Sequence, residues 1–564
     1  FVGGYEEHIE AGLLHVADHH VNAGKKQWTW GNGDFGQAWD RNLTDEDGPY
    51  IELMTGMYCD NQPDFTWLQP YEEKSWVQYF MPYQKVGMVK NATRDALVNL
   101  QPEADGRLKV ILYTTAVQRG ARVMLQNTIT GKVYMDEITT VSPAESFEGF
   151  ANCEGEKMEN LKLTVLDEKG NVLVAYQAEK PEIKPIPEPA KAALDPKDIA
   201  SMEQLFLTGH HLEQYRHATY LPMDYYIEAL SRDEGDIRCN NAVGLLLMRK
   251  GMFAEAQKYF DRAIQTQTER NPNPYDGEPY YNLGWSKKMQ GDNDGAYDAF
   301  FKATWNAAWQ DAGYMGLAQI DAIRGDFAYG LEHINRSLYR NWLNHKGRHL
   351  KTAILRNMKE YGEAEALIAE SLKFDNFNMG CRFESYLIHL LQGNVEAAAV
   401  VKAEMKGLMR GAVNSYMEYA IDYAAAGMYN EASLLLGFVT EDSEITYPMV
   451  YYALGYFAMK QGNEVAALDY FRKAEMMAPD YCFPNKLEEV LMLQEAMRMN
   501  KEGSKAPYYL GNFWYAARIY DKAIACWETS ATLDGAYPTV LRNLSLAYYN
   551  KRNDSKKAVE MLEK

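Results

Sequence analysis

The residues best suited to chemistry in this sequence are concentrated in its first 83 positions. Five of the 11 tryptophans and four of the 11 histidines lie between Phe1 and Tyr83, interleaved with Asp, Glu, Asn, Gln and Gly. Indole faces beside carboxylates and amides suit a polar ligand with apolar C–H faces, which describes a sugar. We therefore predict that this segment takes an oligosaccharide or another glycan as its ligand.

The carboxylates of Asp40 and Glu52 lie in this segment, and Asp40 is a candidate for acid/base catalysis. Asp40 directly follows Trp39, and an acid flanked by an aromatic ring is more readily desolvated. Two carboxyl groups about 5–9 Å apart would be enough to hydrolyse a glycosidic bond. Asp45–Asp47 form a second acidic set, for which a solvated turn before Gly48 is the simpler interpretation.

The predicted ligand contacts are aromatic and polar side chains of the same segment. Alternation along an extended chain places Trp28 and Trp30 on one face, where an indole can stack on a pyranose ring. The alternative is that the indoles fill the interior of a β-sandwich. The full set of predicted substrate-binding residues is Trp28, Trp30, Trp39, Arg41, His19, His20, Asp60 and Gln62.

A metal site is the other chemistry that the histidines suggest. His15 and His19 have the i, i+4 spacing that would place two imidazoles on one metal ion if the segment were helical. HVADHHV has no Glu between these two histidines and lies in β-like surroundings. We expect contacts with sugar hydroxyls or a hydrogen-bond network here, with no metal ligand set and no cofactor.

Composition limits the possible partners. The chain has 58 Lys and Arg against 78 Asp and Glu, and this charge of −20 argues against nucleic acid and anionic membranes as partners. No apolar run is long enough for a transmembrane helix. The six cysteines are scattered without a CxxC pair, which argues against a zinc site or a disulfide framework. The sequence does not distinguish between a location in the bacterial cytoplasm and one in the periplasm.

The elements that must position the candidate residues fall into successive zones. Residues 1–83 are expected to be short extended segments, and residues 84–178 a small β-sandwich of immunoglobulin-like size. Residues 179–197 are rich in Pro, Lys and Glu and predict an extended linker. From residue 198 to 564 the pattern is helical and repetitive, and Met202–Arg232 is expected to be an irregular capping turn.

The helical zone repeats one spacing of small and large residues. A Gly is followed by Ala 12 positions later, an aromatic residue 4 further on and Ala or Ser 3 after that, as in Gly455, Ala467, Phe471 and Ala474. Equivalent sets begin at Gly244, Gly284 and Gly511. The pattern resembles the tetratricopeptide repeat, in about nine copies, and this resemblance implies a superhelix of stacked helix pairs that binds a protein or a second copy of the chain.

Tyr and Trp residues also recur on the first helix of these repeats. The simpler interpretation is packing between repeats, and the alternative is a groove for an extended peptide. The recurring positions are Tyr280, Tyr281, Trp285, Tyr451, Tyr452, Tyr508, Tyr509 and Trp514.

The stretch Pro49–Glu73 resembles the C-terminal part of the aldose 1-epimerase (galactose mutarotase) family. Ile51-Glu52-Leu53 stands for the family's strand, Asn61-Gln62-Pro63-Asp64-Phe65 for its loop and Leu68-Gln69-Pro70-Tyr71-Glu72 for the start of its last strand. The resemblance implies an antiparallel supersandwich with Glu52 as the base that takes the anomeric proton. Met54 departs from the family pattern, and the family's paired histidines would fall before Phe1, so aldose 1-epimerase activity is the less favoured assignment.

The wider block from His15 to Gly56 resembles a bacterial family with a domain-of-unknown-function label that joins such a supersandwich to C-terminal tetratricopeptide repeats. This resemblance implies a protein of about twice this length, with most of the supersandwich before Phe1. It also favours a setting of carbohydrate use. We therefore predict a glycoside hydrolase-like or other anomeric acid/base enzyme, with a non-catalytic glycan-binding and protein-interaction scaffold as the alternative.

Overall fold

The structure is a computed structural model, and it describes residues 1–46, 48–58, 74–180, 182, 185, 191–215, 219–273, 276–441 and 447–564. The chain divides into two compact units, Phe1–Ala192 and Ala193–Lys564. The first is built mainly of antiparallel strands and the second of helices.

The first part of the N-terminal unit contains two small antiparallel sheets and one helix. Its elements are β1 (Val2–Glu6), β2 (Ala11–Ala17), β3 (Gly24–Thr29), α1 (Asp34–Leu43), β4 (Ile51–Gly56) and β5 (Gln78–Gln84). One sheet has the order β1-β2-β5, and the other is the ribbon β3-β4. These sheets and the helix carry the described members of the predicted glycan site.

A small β-sandwich follows, as predicted. Its strands are β6 (Asn91–Ala92), β7 (Ala96–Pro102), β8 (Arg107–Thr114), β9 (Gln118–Asn127), β10 (Val133–Val141), β11 (Phe147–Asn152), β12 (Leu161–Leu166) and β13 (Val172–Gln177). They form two four-stranded antiparallel sheets with the orders β10-β9-β12-β13 and β11-β8-β7-β6. In β12, Leu161, Leu163 and Val165 are buried while the residues between them are partly exposed, the alternation of a strand with one core face.

Strands β7 and β8 are buried on both faces. Ala96, Val98 and Leu100 point into the core between the two four-stranded sheets. The residues that alternate with them on β7 and β8 point the other way, into a second core shared with β2 and β5. The buried apolar members of this second core are Leu14, Val16, Met81, Tyr83, Val86, Leu97, Ile111 and Tyr113. The N-terminal unit therefore has a layered interior to which residues on both sides of position 83 contribute.

The C-terminal unit is a run of α-helices that begins after a short 3-10 turn at Pro196–Asp198. The helices are α2 (Met202–Tyr215), α3 (Pro222–Arg232), α4 (Ile237–Met248), α5 (Phe253–Thr268), α6 (Glu278–Met289), α7 (Asn293–Ala303), α8 (Gln310–Arg324), α9 (Phe327–Arg340), α10 (His345–Asn357), α11 (Tyr361–Phe374), α12 (Met379–Leu391), α13 (Val395–Met409), α14 (Val413–Ala425), α15 (Tyr429–Thr440), α16 (Pro448–Lys460), α17 (Glu464–Met476), α18 (Leu487–Met499), α19 (Lys505–Ala516), α20 (Tyr520–Leu533), α21 (Pro538–Arg552) and α22 (Ser555–Glu563).

Consecutive helices pair into hairpins through the glycine and aromatic positions that the sequence pattern identifies. A Cβ atom on Gly244 would lie 2.4 Å from the Phe260 ring, and one on Gly455 would lie 2.4 Å from the Phe471 ring. Phe260 and Phe471 are fully buried. The large ring on the second helix therefore packs directly on the glycine of the first helix. This contact explains why the spacing between the glycine and the aromatic residue recurs.

The segment before the first clear repeat is more regular than predicted. Met202–Tyr215 and Pro222–Arg232 form the helices α2 and α3, which pack on each other, so the prediction of an irregular capping turn is wrong. A Cβ atom on Gly209 would lie 2.6 Å from the Tyr226 ring, the same device as in the repeats. The glycine-to-aromatic spacing is one residue longer here, which hides the hairpin from the repeat pattern.

The helical unit also packs against itself across distant repeats. Lys346 of α10 donates to Asp422 of α14 at 2.7 Å, and the indole of Trp514 in α19 lies against Gly251, which follows α4. Helix α18 packs on α16 and α19. It lies between the hairpin α16–α17 and the hairpin α19–α20 and so interrupts the series of helix pairs. The superhelix of stacked pairs thus folds its inner face onto itself. Across the described part of the chain, no helix is both long and apolar enough to cross a membrane.

Candidate functional site

The ribbon β3-β4 carries Trp28 and Glu52. The register pairs these two residues directly, and direct partners in an antiparallel ribbon project from the same face with Cβ atoms about 4.5–5.5 Å apart. Trp30 lies two residues after Trp28, and the two ring centroids are 4.6 Å apart. Glu52 is half-buried. The predicted catalytic carboxylate thus lies beside the predicted stacking indole.

Helix α1 brings a further pair of rings to this face. The sequence predicts extended structure here, and the prediction is wrong for Asp34–Leu43, which is helical. The negative charge of Asp34 in the first turn and the positive charge of Arg41 in the last turn both interact favourably with the helix dipole. Phe35 and Trp39 have the i, i+4 spacing that places two side chains on one helix face. Helix formation is what aligns them.

A close backbone contact holds α1 against the end of β3. A Cβ atom on Gly36 would lie 2.2 Å from the carbonyl oxygen of Gly31 and 2.6 Å from that of Trp30. Gly31 itself has a φ of +82°, which favours glycine. These two glycines let the chain reverse tightly after Trp30, so that the Trp30 indole folds back onto the helix.

Trp28, Trp30, Phe35 and Trp39 together form a cluster that we call the aromatic platform. The indoles of Trp30 and Trp39 are stacked in parallel, with centroids 4.7 Å apart and planes 10° apart. Trp28 and Phe35 each meet Trp30 edge-on. Phe35 is 68% exposed, Trp39 38% and Trp28 37%. The platform therefore presents ring surface to solvent and does not fill the sandwich interior.

The neighbouring polar residues of α1 have different surroundings. The Oδ1 atom of Asp40 accepts a hydrogen bond from the backbone N–H of Tyr50 at 3.0 Å, which ties the helix to the start of β4. At the helix end the single hydroxyl proton of Thr44 is available to the carbonyl oxygen of Gly48 at 2.6 Å or to that of Asp40 at 3.0 Å. Arg41 is exposed. Asp40 thus has a structural partner, whereas Arg41 faces solvent.

The histidines divide into two groups. His15 is buried in β2, and its Nε2 lies 3.1 Å from Oε1 of Gln78. His19 and His20 follow in an exposed turn with ring centroids 3.9 Å apart, and the ligand atoms of Asp18, His19 and His20 all lie within 4.8 Å of one another. Since the segment is strand and turn, the helical spacing of His15 and His19 does not apply. Asp18, His19 and His20 are the residues here that could hold a metal ion.

Asp60 and Gln62, the remaining predicted ligand contacts, lie outside the described residues, as does most of the loop and last-strand part of the stretch that resembles the epimerase family. Sequence reasoning also missed two residues of the site, Phe35 and Gly36. The signal was available in the i, i+4 pair of Phe35 and Trp39 between an acidic and a basic helix end.

The aromatic residues of the repeats are mostly interior. Tyr452 and Tyr509 are fully buried, and Trp514 is 2% exposed, in agreement with packing between repeats. Trp285 is half-buried and lines a cavity on the inner face of the helical unit.

A second interior feature of the helical unit is polar. Glu384 of α12 is fully buried and accepts from Nε of Arg356 at 2.6 Å and from the hydroxyl of Tyr423 at 2.6 Å. Arg356 also donates to Glu431 at 2.8 Å. Beside this network, burial lowers the pKa of His349 to about 3, and nearby Lys346 and Arg356 act in the same direction. These groups join α10, α12, α14 and α15 and are structural.

Three family models match separate parts of the chain. Residues 1–83 match a domain of unknown function, DUF5107. Residues 91–176 match the second domain of YphG-like proteins. Residues 237–269 and 450–481 match the tetratricopeptide repeat. The predicted combination of a domain-of-unknown-function segment with tetratricopeptide repeats is confirmed, and it gives the chain a protein-interaction architecture in its C-terminal unit.

Several solved structures are similar to parts of this chain. A tetratricopeptide repeat protein from Parabacteroides merdae is 17% identical over 47% of this chain and 98% of its own, with a TM-score of 0.31. Pseudomonas aeruginosa pilF is 16% identical over 37% of this chain and 92% of its own, with a TM-score of 0.32. A human IFIT1 dimer is 17% identical over 64% of this chain and 89% of its own, with a TM-score of 0.24.

Proposed function

We propose that residues 1–83 hold a glycan on the aromatic platform while the tetratricopeptide repeats bind a protein partner or a second copy of the chain. The observation that carries the glycan proposal is the parallel stack in which Trp39, 38% exposed, lies on the half-buried indole of Trp30. Aromatic rings that pack a core are covered, whereas rings that receive a ligand stay open on one side. The outer face of Trp39 in this stack suits the C–H face of a pyranose.

Polar groups near the platform supply the second half of sugar recognition. Glu52 lies directly opposite Trp28, and Arg41 projects to solvent from the helix that carries Trp39. A carboxylate accepts hydrogen bonds from hydroxyl groups, and a guanidinium donates to ring and hydroxyl oxygens. Asp60, Gln62, His19 and His20 complete the proposed set of ligand contacts.

Binding is favoured over two-carboxylate hydrolysis because of the surroundings of Asp40. One oxygen of Asp40 already accepts the N–H of Tyr50, and this bond fixes the helix to the ribbon. A hydrolase needs one carboxyl group to protonate the leaving oxygen and a second to attack the anomeric carbon or to activate water. Glu52 is the one member of the pair whose position favours contact with a ligand.

The second candidate function is proton transfer at the anomeric carbon. It is supported by the register of the ribbon, which brings Glu52 to Trp28, and by the resemblance of Pro49–Glu73 to the aldose 1-epimerase family. In this proposal Glu52 takes the anomeric proton, Asp40 is the partner acid and Trp28 or Trp30 supports the ring.

A glycan-array screen followed by calorimetry with the best ligand tests the binding proposal. Trp39→Ala should weaken binding about 5- to 150-fold, since stacking of a ligand ring on an aromatic side chain contributes on the order of 1–3 kcal/mol. Trp305→Ala is the matched control, because Trp305 is 57% exposed but lies in the helical unit. Equal affinities for the wild type and Trp39→Ala would overturn the proposal.

Turnover separates the two candidate functions. Oligosaccharides and anomerically pure sugars are incubated with the protein, and released sugar and anomer exchange are followed by NMR. If Glu52 is a base, Glu52→Gln should abolish turnover and leave the melting temperature unchanged. If the platform only binds, the wild type and Glu52→Gln should both be inactive while retaining affinity for the glycan.

A further inference from the structure

The inner face of the helical unit contains a partly open cavity of about 150 Å³. Its walls come from α6, α7, α8, α14, α15, α16 and α18, which are far apart in sequence and meet because the superhelix folds onto itself. A cavity of this volume in other proteins holds one benzene ring. The space therefore fits a small molecule better than a folded or extended polypeptide.

The walls are aromatic and apolar. Trp285, Tyr429, Tyr456 and Phe457 line the cavity, with aliphatic side chains such as Ile421 and Leu491 between them. Pockets with this lining bind the ring or hydrocarbon body of a ligand, while a few polar groups select its orientation.

The charged lining groups favour an anion. Among the described lining residues the charged side chains are Lys288, Lys460 and Glu488, so the fully ionised lining carries one net positive charge. This is unusual in a chain whose overall charge is −20. A ligand with one negative charge would bring the lining to neutrality.

Lys288 is the central group of this arrangement. Its Nζ donates to Oε1 of Gln319 at 2.5 Å and lies 4.9 Å from the Trp285 ring. Burial lowers the pKa of Lys288 to about 7, although the charge of Glu488 acts in the opposite direction. A lysine that is costly to ionise in a cavity is a candidate for ligand binding. Lys460, which is exposed, marks the side where the cavity meets solvent.

From this lining we propose that the cavity binds a small aromatic monocarboxylate, with its ring among Trp285, Tyr429 and Tyr456 and its carboxylate on Lys288. The carboxylate offers two acceptor oxygens to the ammonium, and the ion pair lies in surroundings that water screens weakly. Binding is coupled to proton uptake, because the ion pair stabilises the protonated form of Lys288.

The probes are benzoate, its neutral isostere benzamide and the cation benzylamine, titrated calorimetrically into the full chain. Benzoate should bind at least about 10-fold more tightly than benzamide, and benzylamine should not bind. Titrations of benzoate in phosphate and in Tris at pH 7.5 should show net proton uptake. Affinity should fall up to about tenfold per pH unit above pH 7, because the free lysine loses its proton there.

Two variants and a control locate the site. Lys288→Met should remove the preference for benzoate over benzamide together with the proton uptake. Ala425→Leu, which fills the cavity without changing its charge, should weaken both ligands at least about 10-fold and remains informative if Lys288→Met does not fold. Lys473→Met is the control, because Lys473 also lies over a ring, that of Tyr451, but outside the cavity.

Several outcomes would overturn the proposal. They are the absence of benzoate binding at 10 mM, equal affinities for benzoate and benzamide, and unchanged binding by Ala425→Leu. A short peptide ending in phenylalanine that displaces benzoate and binds more tightly would assign the cavity to a protein terminus and would equally overturn the small-molecule proposal.

Discussion

The aromatic platform and the helix pairs both contain tryptophan next to glycine, but the ring is exposed in the platform and buried in the helix pairs. Trp527 in the repeats is 3% exposed and lies on Gly511, whereas Trp39 on the platform is 38% exposed and stacks on another indole. In both regions a glycine permits the close approach, Gly511 in the helix pair and Gly36 in the platform. The difference lies in what covers the outer face of the ring, and this difference separates packing from recognition.

The comparison predicts its largest energetic effect in the repeats. Phe471→Ala should lower the free energy of unfolding of the helical unit by about 3–5 kcal/mol, because a fully buried ring leaves a cavity. Trp39→Ala should cost the N-terminal unit less than about 1 kcal/mol. Urea denaturation followed by hydrogen exchange assigns each change to its unit. Comparable losses for the two variants would remove the distinction between the regions.

Histidines extend the same contrast to pH. His349 is neutral in the native state, since burial lowers its pKa to about 3 from an ordinary value near 6.5. The unfolded state takes up a proton below pH 6.5, so stability should fall as pH falls from 6.5 to 3, by up to about 1.4 kcal/mol per pH unit.

The test is the denaturation midpoint between pH 4 and pH 7. His349→Phe should flatten this pH dependence relative to the wild type. Replacing the exposed pair His19 and His20 by Asn should leave it unchanged. A wild-type slope retained in His349→Phe would contradict the assignment of the slope to this ring.

Gly36→Ala sharpens the comparison within the platform. The added Cβ would meet the carbonyl oxygens of Gly31 and Trp30, so the helix must shift by more than an ångström. We expect a loss of about 1–3 kcal/mol in the N-terminal unit and an altered near-UV circular dichroism of the stacked indoles. Gly437→Ala is a control, because a Cβ there meets nothing within 4 Å. An unchanged spectrum would show that the stack does not need this contact.

The smallest effect is expected at Asp40. Asp40→Asn keeps an oxygen that can accept the N–H of Tyr50 but removes the charge, so stability should change by less than about 1 kcal/mol. Asp40→Leu removes the acceptor and should cost about 1–3 kcal/mol. If Asp40→Asn instead abolishes a measured glycan turnover while the fold is intact, Asp40 has a chemical role as well as a structural one.

The sequence predicts those parts of the fold in which apolar or small residues recur at a regular spacing. Strand-like composition predicts the sandwich of residues 84–178, in which Leu161–Leu166 shows the expected alternation, and the spacing from Gly455 to Phe471 predicts a helix pair. The sequence did not predict helix α1, because Gly33 and Gly36 look like breaks until the close contact with Gly31 is seen. It also did not predict the inner cavity, since Lys288 and Glu488 are 200 positions apart and meet through the curvature of the superhelix.

The same limit applies to the candidate site. Alternation selects Trp28 and Trp30, the resemblance to the aldose 1-epimerase family selects Glu52, and the ribbon brings them together. The hydrogen bond that engages Asp40 depends on the reversal between α1 and β4, which no local pattern encodes. The type of a residue therefore indicates which chemistry it could perform. Its hydrogen-bond partners in the fold determine whether its side chain is available for that chemistry.

The doubly buried pair β7 and β8 has a consequence for how this protein can change over generations. Residues 1–83 and 91–176 match separate families, which suggests modules that a genome could shuffle one at a time. Leu97, Ile111 and Tyr113 are covered by β2 and β5, so a sandwich inherited without its predecessor would expose an apolar, aggregation-prone face. The heritable unit is therefore the pair, and substitutions on either side of this shared core should be selected together.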